Sequence, residues 1–140
     1  MKPVMYIFVN TEVGMSPGKL AAQAAHAAVE AYRISENPRI DAWYVGGHHT
    51  KLIMDGGSEL RLKIIKDYLE WRGFSCELII DEGRTEVEPF TATALGVEIV
   101  DKDDEHTAAT FGDFKTLRPP RPEQPIRRAP AWMHFRRRKR

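Results

Sequence analysis

The sequence predicts an α/β layered domain with a largely parallel sheet, and three observations carry that expectation. Short, nearly continuous apolar runs mark strands covered on both faces. Val4–Val9 (VMYIFV) is the clearest, with Lys51–Met54, Glu77–Ile80 and Ala92–Val100 as further candidates. Helical periodicity separates them, at residues 16–33 and again at 58–72. Alternation of this kind layers helices on a sheet. At 140 residues the chain also has the length of one domain with a real core.

The first strand leads into "GMSPGKLAAQAAHAAVEAY", residues 14–32, which begins like a phosphate-binding loop. Such a loop needs four residues between its glycine and the Gly-Lys pair, then Ser or Thr to hold magnesium. Gly14 and Gly18 have three residues between them, and Leu20 follows Lys19. The stretch is therefore no nucleotide cradle; it is a well-marked helix start. Ser16 suits the N-cap, Pro17 the first helical position, and Gly18 allows close approach of another group. Free amides and the helix dipole favour an anion there, and Lys19 adds a full charge. Lys19, Gln23, His26 and Glu30 recur at helical spacing on one stripe, expected to face a cleft while the alanines between them lie against the sheet. From spacing alone, Lys19 reads equally as a solvated helix-end lysine and His26 as a half-buried, hydrogen-bonded histidine.

Residues 34–50 read as a loop with at most one irregular turn. Within it His48 and His49 are adjacent, without an i, i+4 partner or neighbouring cysteines, so they read as loop residues and not metal ligands. The second helix starts after Gly56-Gly57 with Ser58 as N-cap and stops at Gly73. It carries Leu60, Ile64, Ile65, Tyr68, Leu69 and Trp71 at helical spacing. Cys76, the one cysteine, reads as a buried, inert thiol and fits a reducing compartment. Next comes "DEGRTEVEPFTAT", Asp81–Thr93. Asp81 ends an apolar strand, where open α/β sheets present functional groups. Gly83 permits a tight turn, Arg84 and Thr85 follow on the loop, and Thr91 begins the next strand; an Asx turn capped by its own Asp81 fits the same residues. The connection from Ile80 to Ala92 is too short for a crossover helix, so the last strand is expected to be antiparallel or to join at an edge. Residues 105–117 fit either a short terminal helix or a final edge segment.

Net charge divides the chain sharply. Residues 118–140 hold nine Lys or Arg against one acid, Glu123, and five of the nine prolines. This end carries +8, so with +1 overall residues 1–117 carry −7. The pattern predicts a folded domain over 1–117 and an extended basic arm over 118–140. In "RRAPAWMHFRRRKR", Arg136, Arg137 and Arg138 follow Trp132 and Phe135, a composition suited to phosphate contact and base stacking. Binding through this arm would weaken with salt by about 0.7–0.9 in log K per phosphate contact and decade of salt. No apolar run approaches the roughly 18 residues of a membrane span, and no signal-peptide pattern precedes the first strand. The expected compartment is the cytoplasm.

Taken together, "GMSPGKLAAQAAHAAVEAY", "DEGRTEVEPFTATALGV" and the weaker middle segment of Trp43 with "TKLIM" (50–54) resemble the type II peptidyl-tRNA hydrolases, the archaeal and eukaryotic kind. The resemblance spans roughly residues 4–101. It implies a three-layer α/β/α fold with a small mixed sheet, and hydrolysis of the ester joining a peptide to the 3′ ribose of tRNA, with no metal and no cofactor. It also leaves a homodimer open. By position, it makes Lys19, Gln23, His26, Asp81, Thr85 and Thr91 the active-site candidates; with a tRNA substrate, Ser16, Gly18, Gln23, Arg84 and Thr85 at the helix start and the loop are expected to face it. The chain departs from the pattern at Pro17, where the family often has lysine, at Glu82, where a small residue is usual, and at Phe90, where glycine is usual. Pro17 and Phe90 raise the alternative of a non-catalytic RNA- or tRNA-binding relative that keeps the fold. For catalysis, Asp81 is expected to orient or deprotonate water while Lys19 and backbone amides stabilise the oxyanion. His26 is the competing base, because histidine titrates near working pH.

Overall fold

The structure, a computed structural model, describes residues 1–83 and 87–117. Its centre is β1 (Pro3–Asn10), buried along its whole length. The sheet order is β2 (Lys51–Gly57), β1, β4 (Thr91–Val97), β3 (Cys76–Asp81), with the two-residue β5 (Val100–Asp101) also on β1. β1 and β2 pair in parallel, while β4 is antiparallel to both β1 and β3. β1, β2 and β3 thus share one direction. Among the described residues parallel pairing is nevertheless confined to β1–β2, less than the largely parallel sheet expected from the alternation. The short connection after β3 is the reason: it can only fold the chain straight back, and β4 then slots between β3 and β1. The return strand is antiparallel, as expected, but central and not at an edge.

Alternation along β1 assigns the two faces. Val4, Tyr6 and Phe8 face a cluster with Leu62, Ile65 and Leu69 of α3 (Glu59–Trp71) and Phe111 of α4 (Glu105–Phe111). Met5, Ile7 and Val9 face Ala27 and Ala31 of α1 (Pro17–Ile34), with Trp43. Helices on both faces make the three layers. On the α3 side, Leu62, Ile65 and Leu69 are the buried residues, while Leu60, Ile64 and Trp71 remain exposed. The core-facing stripe is thus set by Leu62, which the periodic set read from sequence had left out.

Capping follows the local chemistry. The Ser16 hydroxyl accepts from the Lys19 amide at 3.2 Å, with Pro17 in the first turn. Ser58 caps α3 in the same way through Arg61 N at 3.0 Å. Residues 34–50 are more helical than expected: α2 (Asn37–Asp41) runs into one π-helical turn (Ala42–Gly46). Pro38, at the start of α2, supplies the helical φ, and the turn puts Trp43 under the sheet with its indole N–H on Thr50 O at 2.9 Å. Both readings of 105–117 occur, as α4 and as a single bridge between Thr116 and Met54. No helix among the described residues is long and apolar enough to cross a membrane.

Candidate active site

At one end of the sheet, β1 and β3 finish beside the start of α1. Position 81 falls at the last residue of β3, paired with Thr91 at the first of β4. From α1, Lys19 reaches across the chain. Its Nζ lies 2.6 Å from Asp81 Oδ1, and each side chain is only 10% exposed. The other carboxylate oxygen, Oδ2, accepts from Gly83 N at 2.7 Å. The Lys19 hydrogen bond, aided by the Gly83 amide, holds the Asp81 carboxyl below its ordinary value of 3.8, against the opposing effect of desolvation. Asp81 is therefore ionised at neutral pH, and both its oxygens are fixed. An ammonium has three donors; Asp81 takes one.

Close approach of α1 to the sheet makes this contact possible. A Cβ added at Gly96 of β4 would lie 2.3 Å from Ala27 O and 3.3 Å from the Ala31 methyl. The helix backbone thus rests directly on a glycine, with Ala27 and Ala31 fully buried at the contact. One turn beyond Lys19, Gln23 is buried and accepts from the Thr93 hydroxyl of β4. That bond fixes the helix against the strand carrying Thr91. Asn10, at the end of β1, is 4% exposed. Its amide donates to Ala92 O at 2.9 Å, and its carbonyl accepts from Glu12 N and Val13 N, both at 3.0 Å. Thr93, Asn10 and Gly96 thus join the site from outside the sequence-predicted set. The signal for Asn10 was available: it is a polar residue closing an apolar run. Nothing local marks Thr93 or Gly96, because their roles exist only once α1 lies on β4.

The polar stripe divides instead of facing one cleft. Lys19 and Gln23 turn inward, whereas His26 is exposed and Glu30 pairs with Arg33 at 2.8 Å. His26 lies about 60° round the helix from Gln23, away from the buried alanines, and it makes no hydrogen bond or ion pair among the described residues. Its seven-residue separation from Lys19 is about 10 Å along the axis. Gly18 is exposed, with open space where a Cβ would stand.

Thr91 is 9% exposed, and its hydroxyl donates to Glu88 O at 2.7 Å, closing the turn before β4. It also lines a cleft of about 340 Å³ with Asn10, Glu12, Ser58, Glu59 and Glu88. Its three carboxylates, Glu12, Glu59 and Glu88, make that cleft unfavourable for phosphate. Phe90 holds a left-handed backbone, φ +63°, and is 75% exposed. Arg84, Thr85 and the arginines at 136–138 lie outside the described residues. Among the described residues no three His, Cys, Asp or Glu side chains are grouped to hold a metal ion. His49 stacks on Trp43 and contacts Tyr44 O through Nε2 at 3.0 Å. Cys76 is buried, which pushes its thiol up to about 12.

Comparison with known proteins matches residues 3–117 to the family described as peptidyl-tRNA hydrolase PTH2. A protein of Halobacterium salinarum named peptidyl-tRNA hydrolase is 40% identical over 91 residues, 65% of this chain and 80% of that one. One of the same name from Methanocaldococcus jannaschii is 35% identical over 96 residues, covering 66% and 83%. A probable peptidyl-tRNA hydrolase 2 of Schizosaccharomyces pombe is 32% identical over 95 residues, covering 66% and 46%.

Proposed function

Because the chain belongs to the peptidyl-tRNA hydrolase PTH2 family, we infer that it hydrolyses peptidyl-tRNA, cleaving the ester between the peptide and the 3′ ribose and releasing free tRNA. The observation that carries a mechanism is the 2.6 Å contact between Lys19 and Asp81 at the capped start of α1. Asp81 is a fixed carboxylate whose lowered pKa makes it a weak base but a good acceptor. Its role is to orient the attacking water, to take up the proton that passes on to the departing ribose oxygen, and to hold Lys19 in place. Lys19 keeps two donors for the oxygen that becomes negative as the carbonyl is attacked. An ester with a ribose leaving group needs no stronger assistance. A positioned acid or base contributes about 10²–10⁴-fold and an oxyanion donor about 10²–10³-fold, together about 5–10 kcal/mol of barrier.

Gln23 and Thr91 support this centre, the first through Thr93 and the second by closing the turn beside Asp81. Ser16 and Gly18 present the open end of α1 to the tRNA, joined by Arg84, Thr85 and the basic arm through Arg136, Arg137 and Arg138. His26 serves substrate orientation from the exposed flank. The substrate is met in the cytoplasm, and pairing of two copies would cover the apolar side of α3 left by Leu60, Ile64 and Trp71.

The test is turnover of a peptidyl-tRNA by the wild-type chain and by Asp81→Asn, Lys19→Ala and His26→Ala. The first two are expected to lose about 10²–10⁴-fold and 10²–10³-fold, the third much less. A near-wild-type rate for the Asn variant removes Asp81 from the mechanism. No wild-type turnover with tRNA binding intact leaves the non-catalytic alternative.

A further inference from the structure

One aromatic residue, hydrogen-bonded through its backbone to Asp81, carries a side chain unexplained by packing. Phe90 adopts φ +63°, a region costly for any residue with a Cβ, yet its ring is 75% exposed and meets no other ring among the described residues. Burial therefore does not offset the backbone cost, which a glycine would remove. Its mounting is nonetheless rigid. The Phe90 amide donates to Asp81 O at 2.7 Å. Next to it, the Thr91 amide and hydroxyl both bond Glu88 O, at 3.3 and 2.7 Å. On the other side, a Cβ at Gly83 would lie 2.6 Å from the Pro89 backbone, so the two arms of the turn touch. A strained residue held this firmly at a site edge points to a role in that site.

We propose that Phe90 is a stacking platform for the nucleobase of the 3′-terminal nucleoside of tRNA. The proposal rests on the hydrolase reading and adds a contact to it. The ester under attack at Asp81 sits on that nucleoside's ribose, so its base is the one flat ring present beside the reacting bond in every substrate. Peptide side chains at the same bond vary and give a fixed ring nothing constant to meet. Base stacking on an exposed aromatic changes affinity by about 5- to 150-fold.

The experiment compares binding of a deacylated tRNA with that of the same tRNA lacking its last nucleoside. The wild-type chain is expected to prefer the intact tRNA by about 5- to 150-fold. Phe90→Leu, which keeps the bulk and the Cβ but not the ring, should erase the preference, and Phe90→Trp should restore it. The same factor should appear in KM for peptidyl-tRNA. A wild-type chain without the preference, a Leu variant that keeps it, or one that weakens both tRNAs equally overturns the proposal. Absent turnover with the preference intact and ring-dependent removes the hydrolase reading alone; normal turnover with a ring-independent preference removes the stacking role alone.

Discussion

The two faces of the sheet are built differently. Against α3 and α4 the packing is bulky: Leu62 and Leu69 are fully buried, and Tyr6 stacks on Phe111 with ring centroids 4.2 Å apart. Where α1 crosses β4 it is small: Ala27, Ala31 and Ala94 are fully buried, and Gly96 touches helix backbone. Large side chains remove more apolar area from water, about 1.5–3 kcal/mol for each fully buried Leu, Ile or Phe. The alanine-glycine face gives up part of that and gains proximity. A helix standing one side-chain layer further out would leave Lys19 short of Asp81 and Gln23 short of Thr93. One face stabilises the domain, and the other places its chemistry.

That contrast can be broken at several points. The largest effect is expected in turnover, where Asp81→Asn and Lys19→Ala lose about two or more orders of magnitude, beyond the stability lost with their ion pair. Leu62→Ala on the bulky face should do the reverse, costing about 2–5 kcal/mol of stability and leaving kcat near wild type once the chain is folded. Gly96→Ala sits where the two roles meet: an added Cβ 2.3 Å from Ala27 O must displace α1. It is expected to cost about 1–3 kcal/mol and to lower kcat as well, since Lys19 moves with the helix. If kcat is unchanged, close approach of α1 has no part in catalysis.

The pH dependence sharpens the assignment of the base. Lys19 lowers the Asp81 pKa from 3.8, so the ion pair and its contribution to stability are fully present above that value. They are lost only as pH falls through the lower folded-state pKa. The rate profile should therefore stay level on the acid side across pH 5–7, whereas an imidazole base would bend it near pH 6.5. The smallest effect concerns Phe90→Gly. Releasing the left-handed strain, less the extra freedom of glycine in the unfolded chain, should raise stability by about 0.5–1 kcal/mol. With weaker tRNA binding in the same variant, stability and function would move in opposite directions at one residue.

Much of this arrangement is legible from residue order alone. Ser16, Pro17, Ser58 and Gly73 punctuate the helices because caps and stops are local chemistry, satisfied within a turn. The apolar runs mark their strands, since a strand covered on both faces carries few polar residues, and Asp81 stands out as the polar residue where such a run ends. Even the reversal of β4 is implied by a connection too short to cross the sheet. Other features have no local signature. The insertion of β4 between β1 and β3, the choice of the Leu62 side of α3 for the core, and the separation of His26 from Lys19 on one helical stripe depend on partners far along the chain. Sequence determined which groups are available and where each element begins. Tertiary structure decided which of them meet, because the Lys19–Asp81 contact is set by how closely α1 can rest on Gly96, a distance that no spacing along the chain encodes.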